Sequence, residues 1–299
     1  FYLGLNQAKT FWFYLALFLV CGLGGNIVRV TVNAYYLKII REERQGKQMG
    51  FFNFLYQFGM GIGILAGTFM LVRIGFRDVF TLSAFMVIPL IAVSFQLASH
   101  ALVFSPAKIY LDDLKETKTA LFSLILFIFA FHWGVETTCY SPYLMQEMGL
   151  STTNTGIFIA IPIFLLALST YYFGVHTDKS YSSLKLLKIS MVLSGAGMVL
   201  FVSFKNIYWA FLFRLVHEIG DAAFTIFTFQ GFSRLFSKER MGGNTGQMIL
   251  LMILGQAIGS LIFSWIGGDY GYQLAHILAG FLTLSLLILV RFTEKHYMH

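Results

Sequence analysis

Apolar residues fill run after run of this chain, separated only by short polar breaks. A hydrocarbon layer ~30 Å thick needs roughly 20 residues per crossing helix. The pattern predicts nine such helices, over residues 10–37, 48–72, 79–103, 119–146, 152–175, 184–204, 206–233, 241–266 and 272–292. A membrane barrel would read instead as ~10-residue alternating strands, and the sequence has none. The expected fold class is therefore an all-α polytopic membrane protein. The longest connection, FSPAKIYLDDLKETK (104–118), has the composition of a linker.

Composition agrees. The chain is 57% hydrophobic and 12% charged, against ~25% charged in ordinary soluble domains. A formal charge of +7 invites a polyanion partner, but the placement of the basic residues argues otherwise. Alternate connections hold Lys38, Arg41, Arg44, Lys47; Lys108, Lys115, Lys118; Lys179, Lys185, Lys188; Arg234, Lys238, Arg240; and Arg291, Lys295. The opposite set holds only Lys9, Arg73, Arg77 and Lys205. Such asymmetry sets topology. It makes the rich side cytoplasmic, places the C-terminus inside, and names the lipid bilayer of a plasma (inner) membrane, not nucleic acid, as the partner. Cys21 and Cys139 lie in apolar runs, as small packing residues and not as a disulfide or metal framework.

Nine spans with an inside C-terminus put Phe1 outside, which implies further spans upstream. An internal repeat supports this. At a shift of 196 residues, EERQGKQMG (42–50) falls on KERMGGNTG (238–246). Gly24, Gly46, Gly50, Gly59, Gly63 and Gly75 fall on Gly220, Gly242, Gly246, Gly255, Gly259 and Gly271. Spans one to three thus correspond to spans seven to nine, and three more helices are expected before Phe1. The expected organisation is 1–103 as the end of a first six-helix half, 104–118 as a cytoplasmic linker, and 119–299 as the second half.

With these motifs the chain resembles the major facilitator superfamily. GVHTDKS (174–180) is similar to that family's loop motif of Gly, three residues, Asp and a basic residue, here Gly174, Asp178 and Lys179. ERQG and ERMG match its loops into helices five and eleven, and GFRDVF (75–80) its entry to helix six, with Phe76 for Trp. The motif departs after Lys179, where Ser180 and Tyr181 replace Gly and further basic residues. The resemblance implies helices four to twelve of a twelve-helix transporter, with Gly174, Asp178 and Lys179 as a cytoplasmic gate. It also implies that GxxxG runs, Gly59-Gly63-Gly67 and Gly255-Gly259, pack the helix pairs that rock, although plain static packing fits them equally.

Ionisable residues inside apolar spans are costly and must face protein or water. In FRLVHEIGDAAF, Arg214, His217, Glu218 and Asp221 share a helix face about 100° wide. Arg214 can reach Glu218, and His217 can reach Asp221, across one turn. Either this face neutralises itself to lock two helices, or it walls a central cavity. In FHWGVETTCYSPY, His132, Glu136, Tyr140 and Tyr143 fall within about 80° of arc, and Pro142 should bend the helix. Apart from His132, Glu136 has no basic residue within a turn. Low dielectric disfavours charge on a lone carboxylate, so Glu136 is the first proton-carrier candidate, followed by Glu218, Asp221, His132 and His217. Asn26, Arg29 and Asn33 line another face about 60° wide. Arg29 should meet a carboxylate of another helix or an anionic solute, unless it snorkels to the headgroups. With Arg214, Tyr140 and Tyr143, and the weaker amide signals Asn53, Gln57 and Gln256, these are the substrate-cavity candidates.

No HExxH, GxSxG, P-loop or paired Cys-x-x-Cys motif occurs, so neither an enzyme nor a cofactor is expected. One His and one Glu, His132 and Glu136, do not make a metal site. The expected function is alternating-access transport of a small polar metabolite (a sugar, nucleoside or organic anion) by a monomer, coupled to protons as a symporter. A proton-driven exporter of drugs or metabolites is the alternative within the fold. A non-transporting assembly factor or receptor is the alternative outside it.

Overall fold

The computed structural model describes residues 1–96, 106–178 and 182–293. Among these it is helical throughout, without strands. After a short turn of helix at Tyr2–Leu5, α1 runs over Phe11–Ile39. The helical stretch Gln45–Ser94 is two helices, α2 (45–74) and α3 (76–94), because Gly75 adopts φ 76° and ψ 172°. Then follow α4 (Ala107–Lys115), α5 (Thr117–Thr138), α6 (Thr152–Thr177), α7 (Ser183–Ser203), α8 (Ile207–Leu235), α9 (Met241–Tyr270) and α10 (Tyr272–Thr293). All but α4 and α8 belong to stretches long and apolar enough to cross a membrane. In α8 the apolar run is interrupted by Arg214, Glu218 and Asp221. These helices meet the expected spans within a few residues, except that the fourth, expected over 119–146, is α5 to Thr138 followed by a break at Cys139, a short turn at Tyr140–Pro142 and a π-helical turn at Tyr143–Glu147. The third of those spans is described only to Ser94 as helix, and its end falls on undescribed residues.

The 196-residue repeat is written into the backbone. α1 begins at 11 and ends at 39, and α8 begins at 207 and ends at 235, each 196 later. The starts of α2 and α9, at 45 and 241, keep the same register. Gly75 and Gly271 both carry positive φ, 76° and 97°, where L side chains are strained. Both therefore break a long helix at the same repeat position. The N-caps repeat too: Thr10 Oγ1 accepts from Phe13 N, and Asn206 Oδ1 accepts from Tyr208 N and Trp209 N.

α2 packs on α6, α5 on α9 and α10, α7 on α8 and α10, and α6 on α8, while α1 touches α9. Close approach depends on glycine, but not at every expected position. A Cβ on Gly174 would meet Gly46 O at 2.4 Å and Gly50 Cα at 2.7 Å. A Cβ on Gly255 or Gly259 would meet the carbonyl oxygens of Phe127 and Phe131 at 2.2 and 2.3 Å. Gly59, Gly63 and Gly67 have nothing within 4 Å of such a Cβ among the described residues. Among the described residues α2 meets α6 through Gly46, Gly50 and Gly61, on a different face from Gly59, Gly63 and Gly67.

Two aspartates fasten helix starts at the Lys/Arg-rich end. Asp178 accepts from Gly46 N (2.8 Å) and Lys47 N (2.9 Å) in the first turn of α2. Asp113 of α4 accepts from Arg240 Nη1 (2.7 Å) and Asn244 Nδ2 (2.8 Å) where α9 begins. Anions at helix N-termini are favoured by unpaired N–H groups and the helix dipole. The segment 104–118, read as a linker, thus contains a short amphipathic helix that holds α9.

Gly174→Ala should destabilise the protein by roughly 1–3 kcal/mol through overpacking, whereas Gly63→Ala should be neutral or slightly stabilising. Thermal unfolding of the two variants in detergent checks the pair.

Candidate functional site

A cavity of about 430 Å³ lies among α1, α2, α5, α6, α8 and α9. Helices α1 and α2 contribute Arg29, Asn33, Asn53, Tyr56 and Gln57. The facing wall, from α5, the short turn that follows it and α8, carries Glu136, Tyr140, Arg214, Glu218 and Asp221, with Trp133 and Thr228 beside them. α6 supplies an apolar side through Ile159, Ile163 and Leu166, and α9 adds Met252 and Gln256. Most of the residues singled out in the sequence therefore surround one space.

The facing wall is a single network. Arg214 donates through Nη1 to Glu136 Oε1 and through Nη2 to Glu218 Oε1. Its guanidinium carbon lies 4.4 Å from the centre of the Tyr140 ring, a cation–π arrangement that shields it without neutralising it. His217 Nε2 is 2.7 Å from Glu136 Oε1 and 3.6 Å from Asp221 Oδ1. Asp221 Oδ2 accepts from Trp133 Nε1 at 2.8 Å and lies 3.3 Å from His132 Nε2. Both imidazoles turn Nδ1 to a backbone carbonyl, His132 to Phe129 O and His217 to Ser194 O (2.8 Å). A carbonyl oxygen only accepts, so Nδ1 carries hydrogen in both rings. Nε2 is then the atom each ring presents to the carboxylates.

This changes the standing of Glu136. It has no basic neighbour in its own helix beyond His132, but Arg214 and His217 reach it from α8, so the expectation of a lone carboxylate is corrected. Its side chain is nevertheless the most open of the three acids, 18% exposed against 9% for Asp221 and 4% for Glu218. The two pairings expected along α8, Arg214 with Glu218 and His217 with Asp221, both occur.

Arg29 reaches the cavity wall, is exposed, and makes no ion pair among the described residues. Asn53 Nδ2 is spent on Met49 O (2.9 Å), and Gln256 Nε2 donates to Thr137 Oγ1 (2.9 Å). Gln57 Oε1, Tyr140 OH and Thr228 Oγ1 are buried without a hydrogen-bond partner among the described residues. His132 and His217 stand behind the lining and reach it through Asp221 and Glu136, and two substrate-cavity candidates stand outside it altogether. Asn26 Nδ2 returns to Gly22 O of its own helix (2.8 Å). Tyr143 is buried against Phe201 (5.1 Å between ring centres) and His276 (5.5 Å). It is carried away from the cavity because the helix breaks at Cys139 (φ −108°, ψ −20°), just ahead of Pro142. Of the gate residues, Gly174 and Asp178 sit against the start of α2, and Lys179 lies outside the described residues.

Sequence reasoning missed Trp133, whose indole holds Asp221, and Thr228. Trp133 was discoverable: a Trp beside two membrane ionisable residues needs a partner for its N–H.

The chain matches the family model of the Major Facilitator Superfamily over residues 1–107 and 121–299. Among solved structures it is similar to the human organic anion transporter MFSD10 (TETRAN), with a TM-score of 0.73 and 16% identity, over 97% of this chain and 73% of that one. No curated protein matches its sequence.

Removing Arg214 leaves Glu136 and Glu218 buried without a cation. Arg214→Met should cost roughly 3–5 kcal/mol, and adding Glu218→Gln should restore part of it. A double-variant thermal-unfolding cycle measures both.

Proposed function

The chain belongs to the major facilitator superfamily, and from that premise we propose that it is a secondary active transporter that couples uptake of a small organic anion to protons. The observation that carries the substrate class is Arg29, a cation on the cavity wall with no ion pair among the described residues. An anionic group on a solute satisfies it, and Arg suits carboxylate or phosphate through paired donors. The unpartnered Gln57 Oε1, Tyr140 OH and Thr228 Oγ1 offer further hydrogen bonds to a polar solute. A volume of about 430 Å³ falls within the ~300–1,000 Å³ of small-molecule sites.

The proton reading rests on the opposite wall. Three carboxylates, Glu136, Glu218 and Asp221, share one arginine and two imidazoles in a water-poor space. Net charge there is costly, so the number of bound protons must follow the charge that enters the cavity. An arriving anion draws a proton in with it, and Glu136, the most open acid, is the first acceptor. Gly174, Asp178 and Lys179 would brace the Lys/Arg-rich end in one state of the cycle, since Asp178 already holds the start of α2. That end is cytoplasmic in this reading, and the protein acts as a monomer.

The test is uptake into proteoliposomes under an imposed proton gradient, with organic anions, sugars and nucleosides as solutes. Anion uptake should alkalinise the outside. Arg29→Gln should raise KM for anions at least tenfold and leave neutral solutes unaffected. Equal loss for both classes would remove Arg29 from recognition. Glu136→Gln should abolish uphill uptake while sparing solute exchange, and undiminished uphill uptake would exclude Glu136 as the proton carrier. No flux with any solute, alongside a stable protein partner, would replace the transporter reading with that of a receptor or assembly factor.

A further inference from the structure

Two packed helices present the same pair of donors at the same spacing. His132 and Glu136 of α5, and His217 and Asp221 of α8, are each four residues apart, so each pair projects from one face. Their ligand atoms all lie within 4.8 Å of one another. We propose that these four side chains form a binding site for one divalent first-row transition-metal ion, with zinc the ion whose tetrahedral geometry suits the set. The site does not depend on the transport reading.

The spacing is the first support. Four N and O ligands at ~2.0–2.2 Å from a tetrahedral ion stand roughly 3.3–3.5 Å from one another. His132 Nε2 stands 3.3 Å from Asp221 Oδ2 and His217 Nε2 stands 3.6 Å from the other oxygen, Oδ1, so a small turn of the carboxylate brings one oxygen between both rings. His217 Nε2 and Glu136 Oε1, at 2.7 Å, would separate by a fraction of an ångström.

Orientation of the rings is the second. Metal-bound histidines almost always donate their other ring N–H to a carbonyl or carboxylate, which fixes the free nitrogen toward the ion. Here both Nδ1 atoms face backbone carbonyls, of Phe129 and Ser194. His132 and His217 are 1% and 0% exposed. His217 Nε2 and Asp221 Oδ1 are buried without an aligned hydrogen bond among the described residues, and both point into the cluster.

Charge is the third. Glu136, Glu218 and Asp221 carry three negative charges, and Arg214 supplies one positive. A divalent ion supplies the other two with both imidazoles neutral, and Arg214 keeps its bond to Glu218. Two imidazoles and two carboxylates form a borderline donor set that favours zinc and its neighbours over magnesium or calcium.

The experiment uses the full chain, purified in detergent and stripped with a chelator. The protein is dialysed against Zn²⁺ and its metal is counted by mass spectrometry, with zinc-edge absorption of the loaded sample. The expected result is one zinc per chain in an N/O shell containing two imidazoles. Affinity should fall at least tenfold in Asp221→Asn and in His132→Gln, and stay unchanged in His176→Gln, which alters a half-buried histidine at the end of α6, outside the cluster. If Asp221→Asn does not fold, His132→Gln and the absorption shell of the parent protein decide. A parent that retains no zinc, zinc retention indifferent to His132→Gln, or a shell with fewer than two imidazoles would each overturn the site.

Discussion

The bridge from Arg214 to Glu136 and Glu218 is the contact on which the interior depends. A guanidinium at this depth has no water to neutralise it, and neither carboxylate has another full-time cation. Arg214 satisfies both acids at once and joins α5 to α8 in doing so. Its guanidinium lies over the Tyr140 ring, Trp133 holds Asp221, and the two imidazoles turn Nδ1 to backbone carbonyls. Each of these neighbours acts on the charged groups without adding a net charge. The wall is therefore one connected network, in which Arg214 answers one of three negative charges and the other two await protons or another cation.

Balance also explains the asymmetry of the cavity. By backbone register α1 and α8 are repeat partners, yet α8 carries Arg214, His217, Glu218 and Asp221 where the equivalent stretch of α1, 18–25, has no charged residue, and Arg29 lies four residues further on, at the position of Thr225. The scaffold was duplicated while its chemistry diverged. One side carries the cluster built around Arg214, and the other carries Arg29, which makes no ion pair among the described residues, with amides around it.

Much of this was legible in the sequence, because it follows from local rules. Span edges come from apolar runs, and the connection expected between 72 and 79 is where Gly75 breaks the helical stretch, a backbone that glycine accepts most cheaply. The polar faces of α1, α5 and α8 were readable from helical spacing, and most of their residues do meet at one cavity. What escaped was whatever depends on which helix packs beside which. Glu136 and Arg214 are 78 residues apart, so the pairing of Glu136 could not be found within its own turn. The Gly59-Gly63-Gly67 run had the right spacing for close packing, but the face that meets α6 is set by the path of α2, not by spacing. Tyr143 shared an arc with Glu136 on an ideal helix, and the break before Pro142 removed it.

The same logic joins the proton and metal readings of one cluster. Lone pairs that converge in a place of low dielectric must be answered by positive charge, and the structure leaves two such charges unassigned once Arg214 is counted. Protons on two imidazoles provide them singly, and one divalent ion provides them together. The first choice lets charge change in unit steps as a solute arrives. The second locks α5 to α8 through four bonds and leaves Arg214 to Glu218 alone.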